Sequence, residues 1–531
     1  MWCLHGARSF AGRGAHGPRV LVSVVQRCGL AVVAEQDPRD AVVKIFNTRQ
    51  RPGWTVPWQM QPVESSTGSG AVILHNKVAA VLTAAHVVSD TRYLQIQRST
   101  DRFSSEKFRA HVLAVCHEVD LALLRIEDEE ALEGITPLNL ASADVLPLVF
   151  DKVHVVGYPV GGDAVSVTEG VVSRVEVQEF SHSLRAGLAL TVDAAINSGN
   201  SGGPVLDAAT ARIVGVAFQK LVARGVELQG HAVPSPLIQR FLREVQAATL
   251  DERYDVSTVL RLRMPSLGCS YQSLEPPALR RALGLSDEYH GVLLNRLHYS
   301  DLPPPLHVGD VLLTFNGLDL DDLGFCGLLG RRLHFAAACD LCRTSSLVPM
   351  TVWRNGHPVS LEHRLHPTQH FVPRGQYDAV PRFFVVGGLV LQPLTHEYLQ
   401  GWNANDRPPH LQELFLSGHV KPEHTEAVML SQILSDQANA GYDSGWVGAP
   451  LVRAVNGQRI RNLEHLVSIV REARQGTDSP EFLCFDVDAS GGPFRVVLPV
   501  AGLDEADRRV HAMYGVPEAG CSAHFRQDSL A

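Results

Sequence analysis

Lysine is nearly missing from this chain, with six in 531 residues, at positions 44, 77, 107, 152, 220 and 421. None follows a glycine, so the GxxxxGK[ST] phosphate loop is absent and proteolysis is not expected to consume ATP within this chain. Apolar runs are short as well. Even residues 20–34 are interrupted by Gln26, Arg27 and Gly29, which leaves nothing near the eighteen or more residues of a membrane helix, and no membrane insertion is expected. Cysteine is sparse, scattered and odd in number, nine in all, which argues against a disulfide scaffold and for a reducing compartment. Positive charge is not in excess: 47 basic against 56 acidic residues give −9, so the footprint of a nucleic-acid binder is missing. The HExxH zinc motif is absent too, because His117-Glu118 and His396-Glu397 meet Leu121 and Gln400 where a second histidine must stand.

What is present fits a chain of several globular units. Hydrophobic residues make up 45% and charged residues 19%, enough to bury several cores, and 531 residues suit three or four domains. Residues 1–34 hold four arginines (8, 13, 19, 27) and no acid, since the first is Glu35, which is the composition of an organelle transit peptide. Gly12, Gly14 and Gly17 there have the GxGxxG spacing, but no strand precedes them and the dinucleotide reading fails. The mitochondrial matrix is the expected destination, the chloroplast the alternative, and the nucleus ranks below both.

Residues 35–250 read as many short apolar strands, at 41–46, 69–74, 78–82, 153–156, 171–177, 188–193 and 213–218, closed by an amphipathic helix at 236–247. Strands at that spacing predict an all-β barrel or sandwich. Two smaller α+β units follow, at 255–367 and 376–505. Each contains a strand that ends in Asn-Gly, Asn316-Gly317 and Asn456-Gly457, a strong hairpin signal and the trace of an internal repeat. The remaining tail, 506–531, is polar and is expected to lack structure.

Three stretches within the first unit carry chemistry: Thr83-Ala84-Ala85-His86, Val119-Asp120-Leu121, and Gly199-Asn200-Ser201-Gly202-Gly203. Singly, each has a bland structural account. Together they give the order His, Asp, Ser, the order found in chymotrypsin, which is itself a β-barrel protein. A serine hydroxyl needs a positioned imidazole to take its proton, so His86 is the expected general base for Ser201, with Asp120 fixing its tautomer. The glycine-rich turn presents the backbone of Gly199, Asn200 and Ser201 as the oxyanion site, with the Gly199 and Ser201 amides as donors.

With these motifs the chain resembles the Deg/HtrA (Do-like) serine proteases of plants and algae, which carry two PDZ modules. The resemblance runs from residue 41 to about 500 and includes Ser69-Gly70-Ala71-Val72-Ile73, Gly157-Tyr158-Pro159-Val160-Gly161-Gly162-Asp163, Thr168-Glu169-Gly170-Val171-Val172-Ser173-Arg174 and Asp193-Ala194-Ala195-Ile196-Asn197. It implies a mainly β protein: a chymotrypsin-like double β-barrel followed by two α+β PDZ-like domains. It also implies an ATP-independent serine endopeptidase that acts on unfolded or damaged polypeptides, cleaves after small or medium aliphatic residues and forms trimer-based homo-oligomers. Thr191, Gly215, Val216, Ala217 and Phe218 would border the primary specificity pocket. Ser266, Leu267, Gly268 and Cys269 resemble a PDZ carboxylate-binding loop. Val386-Gly387-Gly388-Leu389 holds the equivalent place in the second module and could be filled by its own chain. His231 departs from the small apolar or aromatic residue usual at its position.

No cofactor or metal is expected. Cys339 and Cys342, with Cys326 and His334 nearby, have a spacing that could bind zinc or act in redox exchange, but a lone CxxC fits two small core side chains better. The histidines 357, 363, 366 and 370 fit a solvated strand and linker. The rival reading of the whole is a peptide-binding holdase with a silent protease domain.

Overall fold

The computed structural model describes residues 37–99, 105–197, 199–220, 229–251, 253–255, 257–298, 305–442, 448–475, 479–489 and 491–526. The expected transit peptide lies outside them. Residues 38–531 form one compact unit.

Strands β1 (Val42–Arg49), β2 (Glu64–His75), β3 (Val78–Thr83), β4 (Thr91–Gln97), β5 (Lys107–Cys116) and β6 (Leu121–Ile126) close through β5–β6 pairing into a first barrel. Strands β7 (Lys152–Gly157), β8 (Ser166–Phe180), β9 (Arg185–Val192), β10 (Pro204–Asp207), β11 (Ile213–Lys220) and β12 (Gly230–Pro234) close a second. Both barrels follow from alternation: in β1, Val43 and Ile45 join the first core with Val72, Val81, Ile96 and Leu124, while Leu188, Leu190, Val216 and Val233 fill the second. Between the barrels' strands lie the one-turn helix α1 (Ala85–Val88) and, after them, α2 (Ser235–Thr249). The latter buries Leu237, Ile238, Phe241, Leu242 and Val245 on the second barrel, at the 3.6-residue period that predicted it.

The first α+β module begins with β13 (Leu260–Arg261), which pairs in parallel with β5. Its sheet is built from β14 (Cys269–Ser273), β15 (Val292–Leu297), β16 (Val311–Phe315) with the short β17 (Leu318–Asp319), β20 (Leu347–Arg354) and β21 (His357–Arg364). A hairpin of β18 (Phe325–Leu328) and β19 (Arg331–His334) and helices α3 (Pro277–Ala282) and α4 (Phe335–Leu341) complete it. The second module repeats the plan with β22 (Phe384–Val386), β23 (Leu389–Pro393), β24 (Val428–Ile433), β25 (Leu451–Val455) with β26 (Gln458–Arg459), β27 (Phe482–Ala489) and β28 (Gly492–Pro499), packed by helices α5 (His396–Leu399), α6 (Pro409–Ser417) and α7 (Leu463–Gln475). The repeat is literal at the turns. Asn316 and Asn456 have φ of 51° and 50°, and the glycines after them 76° and 78°, as a two-residue hairpin turn with two left-handed positions requires.

The tail departs from expectation. Instead of losing structure, it forms α8 (Leu503–Tyr514), which buries Leu503, Ala506, Asp507 and Val510, and Cys521 and Phe525 beyond it enter the core of the second module. Apolar residues at i, i+3 and i+7 made that helix; their charged neighbours hid it. His363 departs too: it is 6% exposed and bonded to Leu267 O at 3.0 Å, so it is a core residue.

Candidate active site

Strands β3 and β6 run antiparallel with Thr83 opposite Ala122. His86 follows the end of β3 by three residues and Asp120 immediately precedes β6, so the register alone brings them together. Nδ1 of His86 lies 2.7 Å from Asp120 Oδ2, and the His86 amide donates to Oδ1 at 2.8 Å. Asp120 has φ of 54°, a left-handed conformation that Asp tolerates, where it ends the turn His117–Val119 and aims its carboxylate inward. Its side chain is 1% exposed. Burial pushes this carboxyl up, but the opposing field of His86, helped by His182 and the two bonds from His86, holds it down to about 2. For His86, burial favours the neutral ring, and the Asp120 carboxylate outweighs it, so the imidazole is raised above its ordinary value.

Ser201 comes from the other barrel, in the loop that joins β9 to β10. Ser69, fully buried, ties that loop to the first barrel: its amide donates to Ser201 O at 2.9 Å, its hydroxyl donates to Gly199 O at 2.7 Å and accepts from Tyr158 N at 2.8 Å. Thr83, at the end of the strand that leads to His86, donates to Ser69 O at 2.7 Å. Ser69 stands in the motif Ser69-Gly70-Ala71-Val72-Ile73, and nothing in that motif signals this task. Gly199 and Gly202 have φ of 99° and 82°, and a Cβ on them would fall 2.3 Å from Tyr158 O and 2.2 Å from Thr83 Oγ1. Only glycine fits either place.

The Asn200 amide is already bonded to Asn197 O at 3.0 Å. Among the described residues, the amides of Gly199 and Ser201 have no acceptor, as donors kept for a developing oxyanion must be. No hydrogen bond joins the Ser201 hydroxyl to His86 among the described residues; in resting proteases this contact is often long and tightens with substrate.

The five residues expected at the specificity pocket, Thr191, Gly215, Val216, Ala217 and Phe218, are all buried. Thr191 bonds His231 Nδ1 through its hydroxyl at 3.1 Å. Ala217 exchanges bonds with the loop that carries Ser201, Gly202 N to Ala217 O at 2.7 Å and Ala217 N to Gly203 O at 3.0 Å. Phe218 stacks on Phe180 at 4.5 Å. Ile196, which the sequence reading did not single out, fills the space over Gly230, where a Cβ would lie 2.3 Å from its Cδ1.

In the first module, the loop Ser266, Leu267, Gly268, Cys269 turns at Gly268 (φ 70°), whose amide is taken by Ser266 Oγ at 3.1 Å. Ser266, Leu267 and Cys269 line a cavity of about 1020 Å³ shared with the protease and with residues 368–382. In the second module, Asp507 Oδ1 accepts from Gly387 N at 2.6 Å, so the chain's own carboxylate occupies that loop. The cysteine cluster does not assemble: His334 caps α4 through Ala336 N, Cys326 Sγ reaches Leu333 O, Cys342 Sγ reaches Ala338 O, and burial pushes the Cys339 thiol up.

Comparison with known proteins gives the family. Residues 68–216 match the trypsin-like peptidase domain and residues 372–523 a PDZ domain, which extends over α8. The chain is 34% identical over 435 residues to the putative protease Do-like 3, mitochondrial, of Arabidopsis thaliana, which covers 82% of this chain and 72% of that protein. It is 32% identical to protease Do-like 4, mitochondrial (90% and 84% covered), and 31% identical to protease Do-like 2, chloroplastic (90% and 74% covered), of the same plant. Among solved structures, the HtrA-type protease AlgW with a decapeptide is 21% identical, with a TM-score of 0.44 and 62% and 96% of the two chains covered. With a trypsin-like double barrel, a PDZ domain and relatives of this identity over most of its length, the chain belongs to the Do-like (Deg/HtrA) family of serine proteases.

Proposed function

We propose that the protein is an ATP-independent serine endopeptidase that degrades unfolded or damaged polypeptides. The observation that carries this reading is the His86–Asp120 pair set beside a nucleophile loop whose Gly199 and Ser201 amides are left without acceptors. In this mechanism Ser201 attacks the scissile carbonyl as His86 takes its proton. The tetrahedral oxyanion is held by those two amides, and His86 returns the proton to the leaving amine. Water then repeats the sequence on the acyl-enzyme. The packing of Ile196 over Gly230 supports cleavage after small or medium aliphatic residues. Family membership supports homo-oligomers, and the names of the relatives support the mitochondrion, with the chloroplast as the alternative.

The full chain should cleave casein without ATP and its Ser201→Ala variant should not. Cleavage by neither, with casein held soluble on heating, would favour the holdase.

A further inference from the structure

The strap between the two PDZ modules, residues 366–383, crosses the flank of the protease beside the catalytic pair. The ring of Tyr377 stacks on His182 with centroids 3.8 Å apart, and its hydroxyl donates to His182 O at 2.7 Å. Asp378 Oδ2 lies 3.0 Å from His117 Nε2, and His117 Nδ1 lies 2.9 Å from His182 Nε2. An ionised carboxylate only accepts, so Asp378 places the His117 proton on Nε2. The His117 Nδ1–His182 Nε2 contact joins the two rings, so a chain of three groups fixes the position and tilt of His182. Burial pushes the His182 imidazole down to about 3, which keeps it neutral within this chain.

The far end of the chain is the dyad. The His182 ring centroid is 6.0 Å from that of His86, and His117 stands three residues before Asp120. The strap is also clamped from outside: Asp378 N donates to Asp90 Oδ1 at 2.8 Å, and Arg261 donates to Asp378 O at 3.0 Å. Among the described residues, the His86 side chain, on a one-turn helix and 30% exposed, is hydrogen-bonded to Asp120 alone.

We propose that His182 is a positioning residue for the His86–Asp120 pair and that Tyr377 and Asp378 of the strap hold it in place, so the protease site is complete only when the strap is docked. This rests on the serine-protease reading above. An imidazole with a second ring at its flank keeps the rotamer set by its bond to Asp120, whereas a displacement of about 1 Å can cost about 100-fold in rate.

The test uses the full chain, its Tyr377→Ala, Tyr377→Phe and Asp378→Asn variants, a short unstructured peptide, and a small fluorophosphonate that labels the nucleophile without filling subsites. Tyr377→Ala should slow labelling and kcat by about 10- to 100-fold with KM within about twofold. Tyr377→Phe, which keeps the ring, should recover most of both, and Asp378→Asn, which leaves the packing intact, should fall between. Unchanged or faster labelling in Tyr377→Ala and Asp378→Asn would overturn the proposal, as would a change confined to KM. A second measurement does not need turnover. In the Ser201→Ala protein, the far-downfield proton of the His86–Asp120 bond should broaden on Tyr377→Ala and return on Tyr377→Phe; an unaltered signal in Tyr377→Ala rejects the strap's role. If the unmutated chain shows no Ser201-dependent labelling, the protease reading fails while this resonance still judges the strap.

Discussion

Asp120 shows how one residue can be read in advance and still owe its properties to burial. Its place between the histidine and the serine in the sequence gave its role, but only the closed barrel makes it 1% exposed and ties it to His86 by two bonds. Because His86 serves as a base only when neutral and its pKa is raised above 6.5, activity should fall as pH drops through a value above 6.5. In Asp120→Asn, burial acts on His86 without the carboxylate, so the acid limb should move to lower pH while kcat falls by about 10⁴-fold. A pH–rate profile of both proteins measures this. The Asp120 shift has the opposite sign for stability: a depressed carboxyl adds stability above its unfolded value near about 3.9, and this is lost as pH falls toward about 2. Ser69 is the counterexample. A serine in a strand has no signature, and its hold on Gly199, Tyr158 and Ser201 exists only across more than 85 residues of chain.

At the scale of elements, the Asn-Gly hairpins and α2 were legible because their signals are local: two left-handed residues in a row, or apolar residues at a 3.6-residue period. Helix α8 was not, since its buried face includes Asp507, which reads as polar until its carboxylate is seen to meet Gly387 N and Arg474. That helix decides what the second module can bind. Asp507→Ala should free the Gly387 amide and give this module measurable affinity for a peptide ending in a free carboxylate, where the unmutated chain has none at that module. Calorimetric titration of both proteins checks this, and equal affinity would mean that Asp507 does not block the loop.

Across the whole molecule, the first α+β module is locked to the second barrel rather than tethered. Arg185 of β9 pairs with Asp340 of α4, which is 1% exposed and also accepts from Leu188 N at 3.2 Å. Leu333 and Ala337 of the module belong to the barrel's own core. Removing one partner of a buried pair leaves a charge stranded, so Arg185→Ala should destabilise by about 3–5 kcal/mol. Scanning calorimetry should then resolve a separate, lower transition for the module; a single unshifted transition would refute the lock. The loop between β1 and β2 reaches the second module in the same way, with Thr55 O accepting from Gln432 at 2.9 Å and Trp58 packed on Phe383 at 5.8 Å.

The sequence by itself determined the fold class, the repeat and the order of the three candidate site residues, because each is written in residues close together or in a pattern the backbone must obey. It did not determine which side chains face the pocket, what fills the second PDZ loop, or that Tyr377 and Asp378 meet His182 and His117 beside the dyad. Those contacts join residues up to 261 positions apart. Their strength comes from burial, and burial is a property of packed surfaces that no local pattern records.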